Sequence, residues 1–449
     1  MPKSTPKTPK IAVVGGGIAG LAAAYELTEQ GYQVVVFEQE SFAGGRMRTV
    51  KRDGFNFDGG ASFLAANYYN LKRYAQDLGV EWVATRPGSI HRVLRDGKMH
   101  ELSIASPLSI LRMSFLPFSA RLKLLGWLLA LKLKRFKINL FDLSELPDSL
   151  FGIDLVTYMD EKIHPDATTY LADAFTSIMQ FHRAKDITAG ALVAYFKMMM
   201  TKGEEFALSY TPRGMGEIPT RMAEKLDVRY KTRVKLIRPA RGRVEVQFDS
   251  GKKQFFDKVI LATTAAVGVK IVDPVYKDHL KILSNTEYSS TVTIGIEVDQ
   301  KEIPAQYHLN YVPYKENQRI GGYGNEYRKP GATPPGKSLI SLYLHEETAV
   351  EVLDWPDIKI FEKLKLELPF IFPELDPKKA KLHSIQKWWE AMPKFTPEHI
   401  IRVKWFQRTH QGDKNLYLAG DYMNGPWTEG ASRTGVKAAQ QVIEDLSRN

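Results

Sequence analysis

Cysteine is absent from the 449 residues. That excludes disulfides, thiolate metal sites, a cysteine nucleophile and any cofactor tethered through cysteine sulfur. Long hydrophobic runs are scarce too. The longest in the most apolar region, Leu124–Leu131, falls far short of the roughly 20 residues a spanning helix needs. Acidic residues are in deficit, 51 against 62 Lys and Arg, which leaves a net charge of +11. Such an excess favours anionic partners in general. The cations are spread along the chain, however, without a zinc-finger, basic-zipper or RNA-binding signature, so no nucleic-acid partner is expected.

What is present is ordinary globular usage, 44% hydrophobic and 25% charged, which rules out a disordered chain. The length suggests two or three domains. Residues 1–10, MPKSTPKTPK, have no apolar core and read as a solvated tail rather than a signal peptide. Phe115–Phe141 is the one segment that could touch a membrane: Lys123, Lys132, Lys134, Arg135 and Lys137 flank its apolar run. Lys123 and Lys132 fall on opposite sides of a helical wheel, so the amphipathic face is poor. An interfacial helix and a core helix both stay open. The expected location is the cytoplasm or the cytoplasmic face of a membrane, and the oligomeric state is not legible.

The most informative segment is IAVVGGGIAGLAAAYELTEQGYQVVVFEQ. Ile11–Val14 reads as a buried parallel strand. Gly15, Gly17 and Gly20 follow as G-x-G-x-x-G, and Ile18 and Ala19 open a helix running to about Glu29. Gly15 permits the tight turn, Gly17 lets backbone approach a pyrophosphate, and Gly20 lets helix and strand pack closely. The helix N-terminus offers N–H groups and a positive dipole to phosphate. Tyr32–Phe37 is the next strand, closed by Glu38, an acid suited to ribose hydroxyls rather than a 2′-phosphate.

FAD is favoured over a nicotinamide by what comes next. SFAGGRMRT carries Gly44, Gly45 and Arg46, and GFNFDGGAS carries Gly59, Gly60 and Ala61. The Arg46 guanidinium can neutralise a pyrophosphate bidentately, and glycines let backbone come close to a flat isoalloxazine ring. Further along, DKVILATT (Asp257–Thr264) is another buried strand, and Asn415–Gln441 reads strand–loop–helix. Between them lie a mainly helical block, Asn67–Lys202, and alternating strands from Thr291 to Leu344. The expected class is therefore α/β, with a Rossmann-type FAD-binding domain interleaved with a substrate domain of mixed sheet plus helical insertion. Residues 11–75, 208–280 and 400–449 form the first, and 76–207 with 281–399 the second, where 107–140 is the candidate membrane-contacting part.

The sequence resembles the FAD-dependent amine oxidase superfamily, which includes protoporphyrinogen oxidases, phytoene-type desaturases and flavin amine oxidases. Four segments carry the resemblance: Gly15–Glu38; Gly44–Thr49 with Gly54–Ser62; TPRGMGEIPTRMAEKL with VRYKTRVKLI and DKVILATT; and NLYLAGDYMNGPWTEGASRTGVKAA. It implies non-covalent FAD, with Gly15, Gly17 and Gly20 at the pyrophosphate, Glu38 at the ribose and Arg46 at the phosphates. It further implies backbone contact from Val234 to the adenine, and Gly420 and Asp421 near the ribityl chain. Glu429, Gly430 and Ala431 would start a last helix facing the flavin O2/N1 edge.

Flavin dehydrogenation needs no metal and often no protein acid or base, because N5 takes the hydride. No metal site or triad is expected, and His345, His383 and His410 have no obvious partners. Trp427 is the leading pocket residue and Tyr422 the next, whereas Trp388 and Trp405 read as strand core. KWWEAMPKFTPEHIIRVKWF is similar to the protoporphyrinogen oxidases, while LAGDYMNGPWTEGASRTG is more similar to the carotenoid desaturases. Thr291–Val298 lacks the lysine common in amine oxidases. The leading reading is an FAD oxidoreductase acting on a bulky, mostly apolar small molecule. A flavin amine oxidase, a redox-neutral flavin isomerase and a non-catalytic FAD protein stay open.

Overall fold

The computed structural model describes residues 8–103, 106–133, 139–200, 208–373 and 375–448. Most of the expected tail, residues 1–7, and residues 134–138 of the basic apolar segment lie outside them. One five-stranded sheet is assembled from the start, middle and end of the chain. Its order is Val228–Arg229, β2 (Gln33–Phe37), β1 (Lys10–Val14), Lys258–Leu261 and Leu416–Leu418, all parallel. Central strands of such a sheet are covered on both faces, which is why β1 and its neighbour Lys258–Leu261 are near-continuous apolar runs.

Helix α1 (Ile18–Glu29) crosses from β1 to β2 and packs along the last helix, Trp427–Ser447. Both use small residues at the contact: Ala19, Ala22 and Ala23 on one, Ala431, Gly435, Ala438 and Ala439 on the other. A Cβ on Gly435 would lie 2.0 Å from the Ala19 carbonyl oxygen, so only glycine allows the two backbones to approach this closely.

The second layer is a seven-stranded sheet in the order Lys381–Pro393, Tyr288–Asp299, Lys337–Leu344, Ile320–Asn325, Tyr307–Tyr311, Ile90–Arg95 and Lys98–Leu102. It is antiparallel except where Tyr307–Tyr311 meets Ile90–Arg95. The last two strands correct the expectation of a mainly helical block from Asn67. Asp96 and Gly97 both adopt positive φ (52° and 70°), the two-residue turn that matches strand twist, and Asp-Gly is its sequence signal. The rest of that block is helical, including Phe118–Leu133 and Ala189–Met200. Trp405 is likewise on a helix, Pro397–Thr409, begun by Thr396, whose hydroxyl accepts from His399 N. Among the described residues, no helix is long and apolar enough to cross a membrane.

Gly435→Ala is expected to force α1 and the last helix apart and cost about 1–3 kcal/mol, the range of core overpacking. Urea unfolding of the purified variant measures it; an unchanged midpoint would show that the helix pair has room to spare.

Candidate functional site

A cavity of about 550 Å³ begins at the glycine turn, passes between the two sheets and ends at Trp427. That size is usual for small-molecule sites. At its first end, Gly15 has φ 110°, its N–H donates to the Phe37 carbonyl (2.9 Å), and a Cβ there would meet the Ala262 oxygen at 2.7 Å. Gly17 is the reverse case: a Cβ would meet nothing within 4 Å, because the position faces the cavity. It caps α1 without any side-chain hydrogen bond, which leaves the first-turn N–H groups of Ile18 and Ala19 for an anion. Gly20 does not line the cavity; it lets α1 sit against the glycine turn, a Cβ lying 2.0 Å from the Gly15 oxygen.

Glu38 lines the same end. Its carboxylate accepts from Gly16 N (2.7 Å) and Glu40 N (2.8 Å), so it is anchored to the glycine turn with lone pairs left over. Val234 lines the wall from the start of its strand. Gly45, Gly60 and Ala61 form the middle of the cavity, and Ala61 N donates to the Arg46 carbonyl at 3.0 Å.

Arg46, on the same wall, is held by protein partners. Its guanidinium is bound bidentately to Asp421 (2.6 and 2.9 Å) and also donates to the Ala391 carbonyl (2.8 Å). Burial opposes its charge, but Asp421 more than offsets this and holds the guanidinium above its ordinary pKa. The two groups line the cavity as a neutral pair.

Glu429, Gly430 and Tyr422 do not line the cavity. Glu429 is fully buried, and its carboxylate accepts from Asn70 N (3.0 Å) and Leu71 N (3.1 Å), capping helix α2 (Tyr69–Asp77). Burial pushes its carboxyl up to about 7 against those bonds. Gly430 packs against Gly425, where a Cβ would fall 2.2 Å from the carbonyl carbon. Their neighbours Thr428 and Ala431 are the residues of this turn that line the cavity. Tyr422 points into the core beneath the sheet and its hydroxyl has no partner among the described residues. Gly420 and Asp421 remain on the wall.

Trp427 lines the far end, with its indole N–H donating to the Met179 carbonyl (3.1 Å). Trp388, read from sequence as core, also faces the cavity, and its indole N–H donates to the Gly59 carbonyl (2.9 Å). It stands opposite Thr291 in the strand register, and both line the wall. Phe63, Tyr68, Met179 and Phe181 were also unmarked in the sequence. The usable signal was alternation: Trp388 and Thr291 share one face of their paired strands. Behind Ser62, Lys329 donates to the Ser62 carbonyl and pairs with Glu326, both at 2.5 Å, which braces this loop from the substrate sheet. His345, His383 and His410 stand outside the cavity.

The residues fit a flavin dinucleotide. One end offers an uncapped helix N-terminus and an acid; the middle offers backbone at glycines. The hydroxyls of Thr264, Thr291 and Thr428 are buried on the wall without a partner among the described residues, as a polar ligand would require.

The model of the family described as flavin-containing amine oxidoreductases matches residues 18–443. The chain belongs to that family. Its cofactor is accordingly flavin. Among curated relatives of this flavin oxidoreductase, the mitochondrial protoporphyrinogen oxidase of Nicotiana tabacum is 29% identical over 170 residues, 37% of this chain and 32% of that protein. A 4,4′-diapophytoene desaturase (4,4′-diaponeurosporene-forming) of Staphylococcus aureus is 49% identical over 55 residues, 12% of this chain and 11% of that one. The matches thus span a third or less of the relatives' lengths. A crystal structure from an Exiguobacterium species, provisionally assigned as a protoporphyrinogen oxidase, has the same fold. Its TM-score is 0.77 at 18% identity, with 98% of this chain and 99% of that one covered.

Arg46→Ala leaves the Asp421 carboxylate unpaired, for an expected loss of roughly 3 kcal/mol and weaker flavin retention; adding Asp421→Asn should recover part of the stability. Denaturation of the single and double variants checks the coupling, and strict additivity would deny it. For Glu429 the folded carboxyl holds its proton to about pH 7, above its ordinary range. Its contribution is therefore complete below about pH 4.5 and is lost as pH rises through 7, by up to about 3 kcal/mol. Glu429→Gln should flatten that slope in unfolding measured at pH 5 and pH 8 (~3 units apart on the same linkage curve).

Proposed function

We propose that the protein is an FAD-dependent oxidoreductase that dehydrogenates a bulky, mostly apolar substrate. The observation that carries this reading is the change of character along the cavity. Its charged side chains, Glu38, Glu40, Arg46, Arg48, Arg233 and Asp421 among them, belong to the dinucleotide end and middle. Phe63, Tyr68, Ile178, Met179, Phe181 and Trp427 make the far end, and none of them is an acid or a cation. Beyond Trp427 a small inner chamber continues this lining with Leu143, Phe175, Leu192, Tyr195 and Phe395.

Bound FAD supplies the hydride acceptor. The chain's own part is to bind, orient and exclude water. The α1 N-terminus and Glu38 hold the dinucleotide end, while the Arg46–Asp421 pair keeps the middle of the wall neutral. At the other end the last helix also begins without a side-chain cap, and its one first-turn acid, Glu429, is turned away to α2. Its first-turn N–H groups therefore keep their positive end, which would favour an anionic edge of a bound flavin. Trp427 and Trp388, each fixed by an indole hydrogen bond, supply flat apolar walls against which a conjugated or polyunsaturated substrate can lie.

The absence of a lysine on Thr291–Val298 speaks against an amine, as does the apolar lining that the described residues give the far end. With no cation among the described residues of that end, an uncharged polyene is favoured over a tetrapyrrole bearing carboxylates. The porphyrinogen reading keeps one support of its own, the 170-residue similarity to the tobacco enzyme. Anaerobic titration of the purified holoprotein distinguishes the classes: the flavin absorbance should bleach with an acyclic polyene and not with a small primary amine. Bleaching with the amine alone would refute the apolar reading, and bleaching with a porphyrinogen alone would select the second.

A further inference from the structure

We propose that the helix Phe118–Leu133 docks the protein on an anionic lipid surface. The helix has two apolar faces. Ala120, Leu124, Leu128 and Leu131 are buried against the protein. Phe118, Leu122, Leu129 and Leu133 are 62%, 48%, 52% and 81% exposed. At about 100° per residue these four fall within a stripe roughly 60° wide, on the side opposite the buried one. Leu108, 55% exposed on the short helix before it, adds to the same surface region. That short helix is tied down by Arg121, whose guanidinium donates to the carbonyls of Leu111 (2.8 Å) and Leu116 (2.7 Å).

The occupant is chosen by charge. Lys123 and Lys132, the two lysines that spoil a one-faced reading of the wheel, lie one on each flank of the exposed stripe, both exposed and without a partner among the described residues. In sequence, seven Lys and Arg and not one Asp or Glu occur between Leu102 and Asp142. A water-soluble partner helix of ordinary composition would need no such one-sided charge. An acyl boundary beneath anionic headgroups matches both features: apolar side chains sink in while flanking ammonium groups reach the phosphates. The site also has a place in the architecture. Trp127, between the two faces, donates to the Tyr158 hydroxyl (2.9 Å) and packs on Phe196 (5.5 Å). Phe196 belongs to the helix Ala189–Met200, which carries Leu192 and Tyr195 of the inner chamber. Docking would suit the apolar substrate class proposed above, but it does not rest on that reading.

The test uses the full-length holoprotein in flotation with vesicles of phosphatidylcholine alone or mixed with phosphatidylglycerol. The wild type should float with the anionic vesicles, less so as salt is raised, and not with the neutral ones. Leu129→Glu with Leu133→Glu, and separately Lys123→Glu with Lys132→Glu, should each weaken partition by about tenfold or more. Unchanged flavin absorbance and near-ultraviolet circular dichroism would confirm that these surface variants are folded. Failure of the wild type to float with anionic vesicles would overturn the proposal. So would a solution dimer that Leu129→Glu dissociates, which would assign the face to a second copy of the chain.

Discussion

The pairing of Arg46 with Asp421 is the constraint on which the rest of the site depends. The two residues are 375 positions apart, and the same guanidinium reaches the Ala391 carbonyl on the substrate sheet. It therefore joins the glycine-rich beginning of the chain, the strand end that closes the parallel sheet, and the edge of the second layer. Asp421 is almost fully buried, with a side-chain exposure of 5%. A buried pair of this kind adds little net stability over an apolar replacement, yet leaving one partner alone costs about 3–5 kcal/mol. Its value is specificity: only one arrangement of three distant segments satisfies the guanidinium, and that arrangement is the one that encloses the cavity.

Around that pair the wall divides by chemistry. Beside its charged side chains, the dinucleotide end has the backbone donors of the α1 N-terminus, which cannot change their protonation and need no reorganisation to receive an anion. The far end is built from aromatic and aliphatic side chains. Glu429 shows how the division is kept. A carboxylate in the first turn of the last helix would place negative charge at the cavity wall, but the Glu429 side chain caps α2 instead. The acid thus ties a helix of the early chain to the turn that carries Trp427, and the helix N-terminus stays positive.

Much of the fold was legible because its signals are local. The span from Ile11 to Glu38 contains a strand, a glycine turn, a helix and an acid in one continuous stretch, so spacing alone specified its geometry. Side-chain direction was not legible where it depends on partners far away in sequence. Nothing near Arg46 announces Asp421, and nothing near Glu429 announces the open N-terminus of α2. Trp388 was read as core because a tryptophan in a strand usually is; its facing residue, Thr291, becomes visible only when the strand register is known. The hairpin at Asp96-Gly97 had a readable turn signal, which was outweighed by the helical character of the sequence around it. On Phe118–Leu133 the wheel shows only a poor amphipathic face, because the helix has one apolar stripe against the core and another exposed.

Trp427 joins these levels. It sits at φ 60°, a conformation that costs a bulky side chain on the order of 1–3 kcal/mol, and persists only where surrounding structure enforces it. The enforcement is visible: Pro426 fixes the residue before it, the indole N–H is held by the Met179 carbonyl, and Phe63, Phe141 and Tyr195 surround the ring. A relaxed φ would carry the indole out of the boundary between the cavity and the inner chamber. Phe181, on the same wall, is also in the left-handed region at φ 59°. Two aromatic residues held in costly backbone conformations on one apolar wall are poorly explained by packing alone, since the core has many relaxed aromatics. They fix the shape of that wall, with strain at two points offset by the packing of everything behind them.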